Sequence, residues 1–144
     1  MDNQTIFNLI ISRRTCFKFL DKSTHPISDT AITQCLEASI TAPNHKMTQP
    51  WLFYDLGIKS QPLFAKIYAD NRASKKYKTG SNAFNDAYDK ALLKFNAFPK
   101  IILVAQLLAD NKITRKEDYA ACACAIQNFQ LMAWQQKIGM QWNT

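Results

Sequence analysis

Nothing in this 144-residue chain approaches the ~20 consecutive apolar residues that cross a bilayer. The longest apolar run, 101–108, is broken by Gln106. Nor does a basic n-region open the chain, where Met1-Asp2-Asn3-Gln4 is polar and acidic. These absences argue for a protein without a membrane partner, working in the cytoplasm. Cys16, Cys35, Cys122 and Cys124 are then expected as free thiols. Groups for covalent or metal chemistry are also scarce. There are two histidines, and His25, beside Pro26, has no cysteine or carboxylate at ligand spacing. Cys122 and Cys124 stand about 200° apart on a helix and lack further ligands, so they read as packing residues and no metal site is expected. No catalytic pair of carboxylates and no nucleophile triad stands out. Acidic residues are the minority charge, 11 against 18 basic, for a net +7. That balance favours anions, whether the phosphate of a nucleotide cofactor or of nucleic acid, and does not choose between them.

What is present is a core. A composition 47% apolar and 12% aromatic excludes a disordered chain, and the length suits one domain, 1–144. The stretch that organises it is Ala42-Pro43-Asn44-His45-Lys46-Met47-Thr48-Gln49-Pro50-Trp51. Two prolines seven residues apart cannot share one regular helix, because each lacks an N–H and fixes φ. A helix therefore ends near Ala42, the chain crosses a surface, and a strand begins near Trp51. The crossing carries amides, an imidazole, an ammonium, a thioether, a hydroxyl and an indole. Such a loop suits a planar ligand with polar edges; the plainer reading, favoured by composition alone, is a hydrated connection with Trp51 in the core.

The other elements follow from periodicity and caps. Residues 3–12 read as a helix with Ile6, Phe7, Leu9, Ile10 and Ile11 on a broad apolar face and Asp2 as its cap. It runs into Arg13-Arg14-Thr15, whose guanidinium forks match phosphate and carbonyl edges, or simply face the negative end of the helix dipole. Phe17, Phe19 and Leu20 resume an extended pattern. Ser28 caps a second helix with Ile32, Cys35, Leu36, Ser39 and Ile40 on one face. After a strand over 52–56, Ser60 and Pro62 open a third helix with an apolar stripe of Leu63, Phe64, Ile67 and Tyr68. The run 72–78 holds four cations and Tyr77, read as a solvated loop and, less favoured, as a surface for stacking bases. A helix over 83–95 places Phe84, Ala87, Tyr88, Ala91, Leu92 and Phe95 in register. Residues 101–107 fit a strand buried on both faces. Thr114 and Glu117 form a capping box for the longest helix, which ends near Lys137 with Gly139 as C-cap. Its segment 120–125 is small all round, which suits a central position or a dimer interface. Met140-Gln141-Trp142 begins a third strand.

Three separated pieces carry a family resemblance. Arg13-Arg14-Thr15-Cys16-Phe17-Lys18-Phe19 resembles the R-R-[ST]-x-R-x-[FY] opening of the FMN-dependent nitroreductases. Ala42-Pro43 through Gln49-Pro50-Trp51, with Phe53, is similar to the A-P-…-Q-P-W-x-F block of that family. Glu117-Asp118-Tyr119 leading into the alanine-rich helix, then Gly139-Met140-Gln141-Trp142-Asn143-Thr144, resembles its central helix and the start of its W-x-[ST]-G segment. His45-Lys46 is similar to the compact subgroup of short NAD(P)H nitroreductases. The resemblance implies an α+β fold, with helices around a mostly antiparallel sheet, in an intertwined homodimer. It implies FMN as cofactor and NADH or NADPH as electron donor, with a small aromatic acceptor, a nitroaromatic or quinone. Arg13, Arg14 and Thr15 would hold the phosphate, ribityl chain or pyrimidine edge. Asn44, His45, Met47 and Gln49 would approach the isoalloxazine from the partner subunit. Trp142, Asn143 and Thr144 would lie near the phosphate. No side-chain nucleophile is then needed, because the chemistry belongs to flavin N5. Two residues depart from the pattern: Phe17 replaces a usual arginine, and Met47 an asparagine found in many members. The family continues past the W-x-[ST]-G segment into a further strand and tail, and this sequence stops at Thr144. The runner-up is a catalytically disabled flavin- or ligand-binding remnant of the same fold; a nucleic-acid-binding domain using 72–78 comes third.

Overall fold

The computed structural model describes residues 3–20 and 23–143. Within them the order is α1 (Asn3–Ser12), α2 (Asp29–Ile40), a 3-10 turn (His45–Met47), β1 (Trp51–Asp55), α3 (Ser60–Ser74), α4 (Asn82–Ala97), β2 (Ile102–Gln106) and α5 (Lys112–Gln135). The expected cap Asp2 lies outside the described residues. β1 and β2 pair as a two-stranded sheet. Leu107 N–H donates to the Pro50 carbonyl (2.7 Å) and Leu56 N–H to Ile101 (3.0 Å), so the strands run antiparallel. The fold class is α+β, as expected. Two expectations change. β2 is half-buried with Ala105 exposed, not buried on both faces, because no further strand pairs with it among the described residues. And Met140 makes a single parallel bridge with Thr15 in place of a strand.

The chain divides into two compact units. The first gathers the described parts of 1–19, 27–54 and 104–144. Its spine is α5, 24 residues and so about 36 Å long. α2 lies against it. Ser28 caps α2 as expected, its Oγ accepting from Ala31 N–H at 3.1 Å. Ala31, Ile32, Cys35 and Ser39 form the buried face. Ile40, expected with them, is exposed. Asn128 of α5 donates to the Ala38 carbonyl and Gln136 to Ala31, which fixes the pairing of the two helices. The core joins Ala42, Trp51, Ala121, Cys122 and Ala125. Phe53 packs on this cluster and stacks on Phe129, with centroids 6.3 Å apart. A two-stranded ribbon is marginal alone, and Trp51 and Phe53 of β1 supply an apolar anchor. The small residues of α5 are thus half spent: Ala121, Cys122 and Ala125 are buried, Ala120 and Cys124 exposed.

Both ends of α5 correct the sequence reading. Its N-cap is Asn111, whose Oδ1 accepts from Ile113 and Thr114 N–H, so Thr114 lies inside the first turn and is not the cap. At the other end Lys137, at φ 62°, takes the left-handed position. Ile138 N–H bonds back to Ala133 and Lys137 N–H to Trp134, a Schellman closure without glycine. Gly139 has another job. A Cβ there would overlap Cys16 Sγ and Cβ, so its lack of a side chain lets the segment after α5 approach the segment after α1.

The second unit comprises Leu20–Pro26, in its described part, and Asp55–Leu103. α3 and α4 pack as a helical hairpin around Phe64, Tyr68, Phe95 and Phe98. Tyr68 and Phe95 stack at 3.7 Å, and Phe98 meets Phe95 edge-on at 4.8 Å. The buried stripe of α3 is Gln61, Ala65, Ala69 and Ala73; Leu63 and Ile67, expected inside, are exposed. Alanines let the helices approach closely, and Gln61 justifies its burial by donating to the Phe95 and Phe98 carbonyls at the end of α4. Ser81 caps α4 after Gly80, whose φ of +82° needs glycine. Most of the cationic run 72–78 lies in the exposed turn between the two helices, while Arg72 stays on α3 and donates to Tyr68 Oη.

Candidate functional site

The candidate residues fall in the first unit, in two places. One is the junction after α1. Arg14, just past the helix, donates to the Ile11 carbonyl (2.6 Å) and the Arg13 carbonyl (2.9 Å). Its guanidinium therefore serves the open C-terminus of α1, the plainer of the two readings of the pair. Arg13 is half-buried. Thr15 bridges Met140, with Cys16 N–H donating to the Met140 carbonyl at 2.9 Å. Trp134 Nε1 of α5 donates to Ser12 Oγ at 3.0 Å. The 13–15 and 140–143 segments, 125 residues apart at the bridge, are thereby laid side by side. In the second segment Trp142 and Asn143 are exposed, and Asn143 Oδ1 accepts from Gln141 Nε2. Gln141 Oε1 is buried without a hydrogen-bond partner, an acceptor awaiting a donor. Thr144 lies outside the described residues.

The other place is the proline-bracketed crossing. Lys46 (φ 55°), Met47 (φ 54°) and Gln49 (φ 44°) all occupy the left-handed region, at a cost of order 1–3 kcal/mol each for non-glycine residues. Three such residues within four positions persist only where neighbours hold them. Asn44 Oδ1 accepts from Gln49 N–H at 2.9 Å, closing the loop on itself, and Asn44 Nδ2 donates to Ala42. Thr48 reaches out of the loop, its hydroxyl donating to Asp118 Oδ1 of α5 at 2.7 Å. Pro50 is fully buried and pins the exit. What the loop presents is His45, Lys46, Met47 and Gln49, all exposed, with Met47 72% so. Trp51 is in the core.

Sequence reasoning missed the Thr48–Asp118 bond, the Trp134–Ser12 bond and the orphan on Gln141. The first two join residues 70 and 122 positions apart, and nothing local announces such a pair. Asp118 is 3% exposed and one turn before Cys122. Burial first, and the Asp118 carboxylate second, push the Cys122 thiol above its ordinary pKa. Burial alone does the same for Cys35. Both stay protonated at neutral pH, which rules them out as ready nucleophiles. Among the described residues no cluster of histidine, cysteine and carboxylates is placed to hold a metal. No described helix is long and apolar enough to cross a membrane.

The two places are anchored at different points of α5. Thr48 is tied to Asp118 near the start of α5 and Ser12 to Trp134 near its end. Sixteen residues of helix separate those anchors, about 24 Å along the axis.

Comparison with known proteins accounts for the pattern. The nitroreductase family model matches residues 10–144. The chain is 33% identical over 142 residues to "Putative NAD(P)H nitroreductase YfhC" of Bacillus subtilis, covering 95% of this chain and 68% of the relative. Identity to YdjA of Escherichia coli K12, similarly named, is 27% over 137 residues, covering 94% and 70%. Among solved structures, a nitroreductase-like family protein from Bacillus cereus superposes with a TM-score of 0.81 at 25% identity, over 100% of this chain and 72% of that one. A nitroreductase with bound FMN from Bacteroides fragilis shares the fold at a TM-score of 0.66 and 18% identity, over 94% and 66%. With motif, fold and relatives in agreement, the chain belongs to the nitroreductase family.

Proposed function

We propose that this chain is an FMN-dependent oxidoreductase that works as a cytoplasmic homodimer. In this reading it takes hydride from NADH or NADPH and passes electrons to a nitroaromatic or quinone-like acceptor. Its whole length, 1–144, serves as a single domain of that activity. The observation that carries the reading is the separation of the two candidate places along α5. The cationic junction around Arg13 is tied through Ser12 to Trp134, and the Asn44–Gln49 loop through Thr48 to Asp118, anchors about 24 Å apart along α5. That separation favours a flavin shared between the junction of one subunit and the loop of a second. The exposed apolar face of α1, with Ile6, Phe7, Ile10 and Ile11 each about half exposed, offers the second copy a surface to cover.

The residues suit the cofactor. Arg13 and Arg14 match a phosphate or the carbonyl edge of a pyrimidine. Gln141 Oε1, buried and unpartnered beside the Thr15–Met140 bridge, suits a hydroxyl donor such as those of a ribityl chain. Asn143 and Trp142 lie one and two residues further on. From the partner, Asn44, His45, Met47 and Gln49 would frame the ring, with the Met47 thioether as soft apolar contact. Thr144 completes the proposed set. Bound flavin supplies the redox chemistry, taking hydride at N5. The chain's part is to bind, to orient and, through the guanidiniums, to favour a negative charge near the pyrimidine edge.

The deciding experiment is anaerobic titration of the FMN-loaded protein with NADH and with NADPH. Loss of the flavin band, then its return on adding a nitroaromatic or quinone, is expected. Retained FMN that neither nucleotide bleaches would overturn the reductase and leave the disabled remnant, which the exposed Phe17 in place of an arginine would explain. Failure to bind FMN at all would overturn both.

A further inference from the structure

The Asn44–Gln49 loop is held in a conformation that its own sequence opposes. None of Lys46, Met47 and Gln49 is glycine, yet all three sit at positive φ. The Asn44 clasp on Gln49 N–H is local and travels with the loop wherever it goes. The prolines fix its two ends. What ties its middle to a separate rigid element is the Thr48 hydroxyl on Asp118 Oδ1, at 2.7 Å. That bond answers two needs at once. Asp118 is 3% exposed, and a buried carboxylate without a donor is costly. The strained loop, exposed from His45 to Gln49, has little burial of its own to hold it.

We infer that Thr48 and Asp118 are positioning residues, whose hydrogen bond locks the loop in its left-handed form and so sets how tightly Asn44, Met47 and Gln49 engage the flavin. The inference rests on the function proposed above for its cofactor half, but the lock itself is a property of the free protein. Neither residue touches the ring in this account. The Thr48 hydroxyl is spent on Asp118 Oδ1 of α5, and its influence passes through the backbone of its neighbours. A hydroxyl is required, and the methyl is incidental.

The test compares wild type with Thr48→Val, Thr48→Ser and the double variant Thr48→Val/Asp118→Leu. The double variant breaks the lock without leaving a buried carboxylate orphaned, which guards against a Thr48→Val chain that fails to fold. Two quantities are read: the Kd for FMN, and the rate at which trypsin cuts after the exposed Lys46. Both lock-breaking variants should bind FMN at least about tenfold more weakly and be cut severalfold faster, while Thr48→Ser returns to wild-type behaviour. A threonine that acts through its methyl would not be rescued by serine in either readout. Wild-type FMN affinity and wild-type cutting in the lock-breaking variants would overturn the lock. A wild-type protein that takes up no FMN would overturn the proposed function instead, and the trypsin comparison would still decide the lock.

Discussion

At position 139 the absence of a single carbon decides whether two chain segments can meet. The Schellman closure of α5 has already been made by Lys137, so Gly139 is not there for its backbone freedom; it is there because Cys16 occupies the space a side chain would fill. Gly139→Ala is expected to destabilise the protein by about 1–3 kcal/mol, the usual cost of overpacking. Adding Cys16→Ala, which removes Sγ but not Cβ, should recover part of it in urea unfolding. The cysteines make a second residue-scale case. A thiol-specific dye should label exposed Cys124 readily and leave Cys35 and Cys122 unmodified until the protein unfolds. Their folded pKa values are raised, by burial and for Cys122 also by Asp118. The unfolded chain therefore loses these protons first as pH rises. The stability they contribute is intact below the ordinary thiol pKa and lost above it, so unfolding free energy should fall in alkaline solution, and less steeply in a Cys35→Ala/Cys122→Ala variant.

Helix ends show how an element selects among candidate signals. Thr114-x-x-Glu117 satisfies a well-founded capping pattern, but Asn111 stands three residues earlier and its side chain meets two open N–H groups. Asn111→Ala should cost about 1 kcal/mol in thermal unfolding, and Thr114→Ala clearly less. Equal losses would return the cap to Thr114. The same kind of contest explains α3. Hydrophobic spacing put Leu63 and Ile67 inside, whereas the helix turns its alanines toward α4, because small side chains bring two backbones close enough for Gln61 to reach the carbonyls ending α4. Of the expected stripe, Phe64 and Tyr68 do pack against Phe95 of α4, while Leu63 and Ile67 give way to the alanines. For α4 spacing and packing agree: Phe84, Ala91 and Phe95 are buried as their register requires.

For the whole molecule, the outcome turns on surface that one chain leaves open. Phe7 is 56% exposed and Ile10 52%, on a helix whose sequence promised an interior face. In the proposed dimer the second subunit covers this face and supplies the loop that α5 holds out of reach. Replacing Phe7 and Ile10 together by glutamate should therefore shift sedimentation toward the monomer and release FMN in the same step, since the site would be divided between subunits. A monomeric variant that keeps its flavin would refute a shared site.

The sequence by itself determined which segments are helices and strands and where α2 and the crossing begin, since Ser28, the bracketing prolines and the apolar spacing act through neighbours within a turn or two. It also carried the three motifs by which the chain belongs to its family. Only the tertiary structure decided which faces close, that Thr48 would find Asp118 and Ser12 would find Trp134, and that the two candidate places are anchored sixteen residues apart on α5. The reason is physical. A period tells which side chains share a side of an element, but what covers that side, and which distant donor meets a buried acceptor, is settled by packing among elements far apart in the chain.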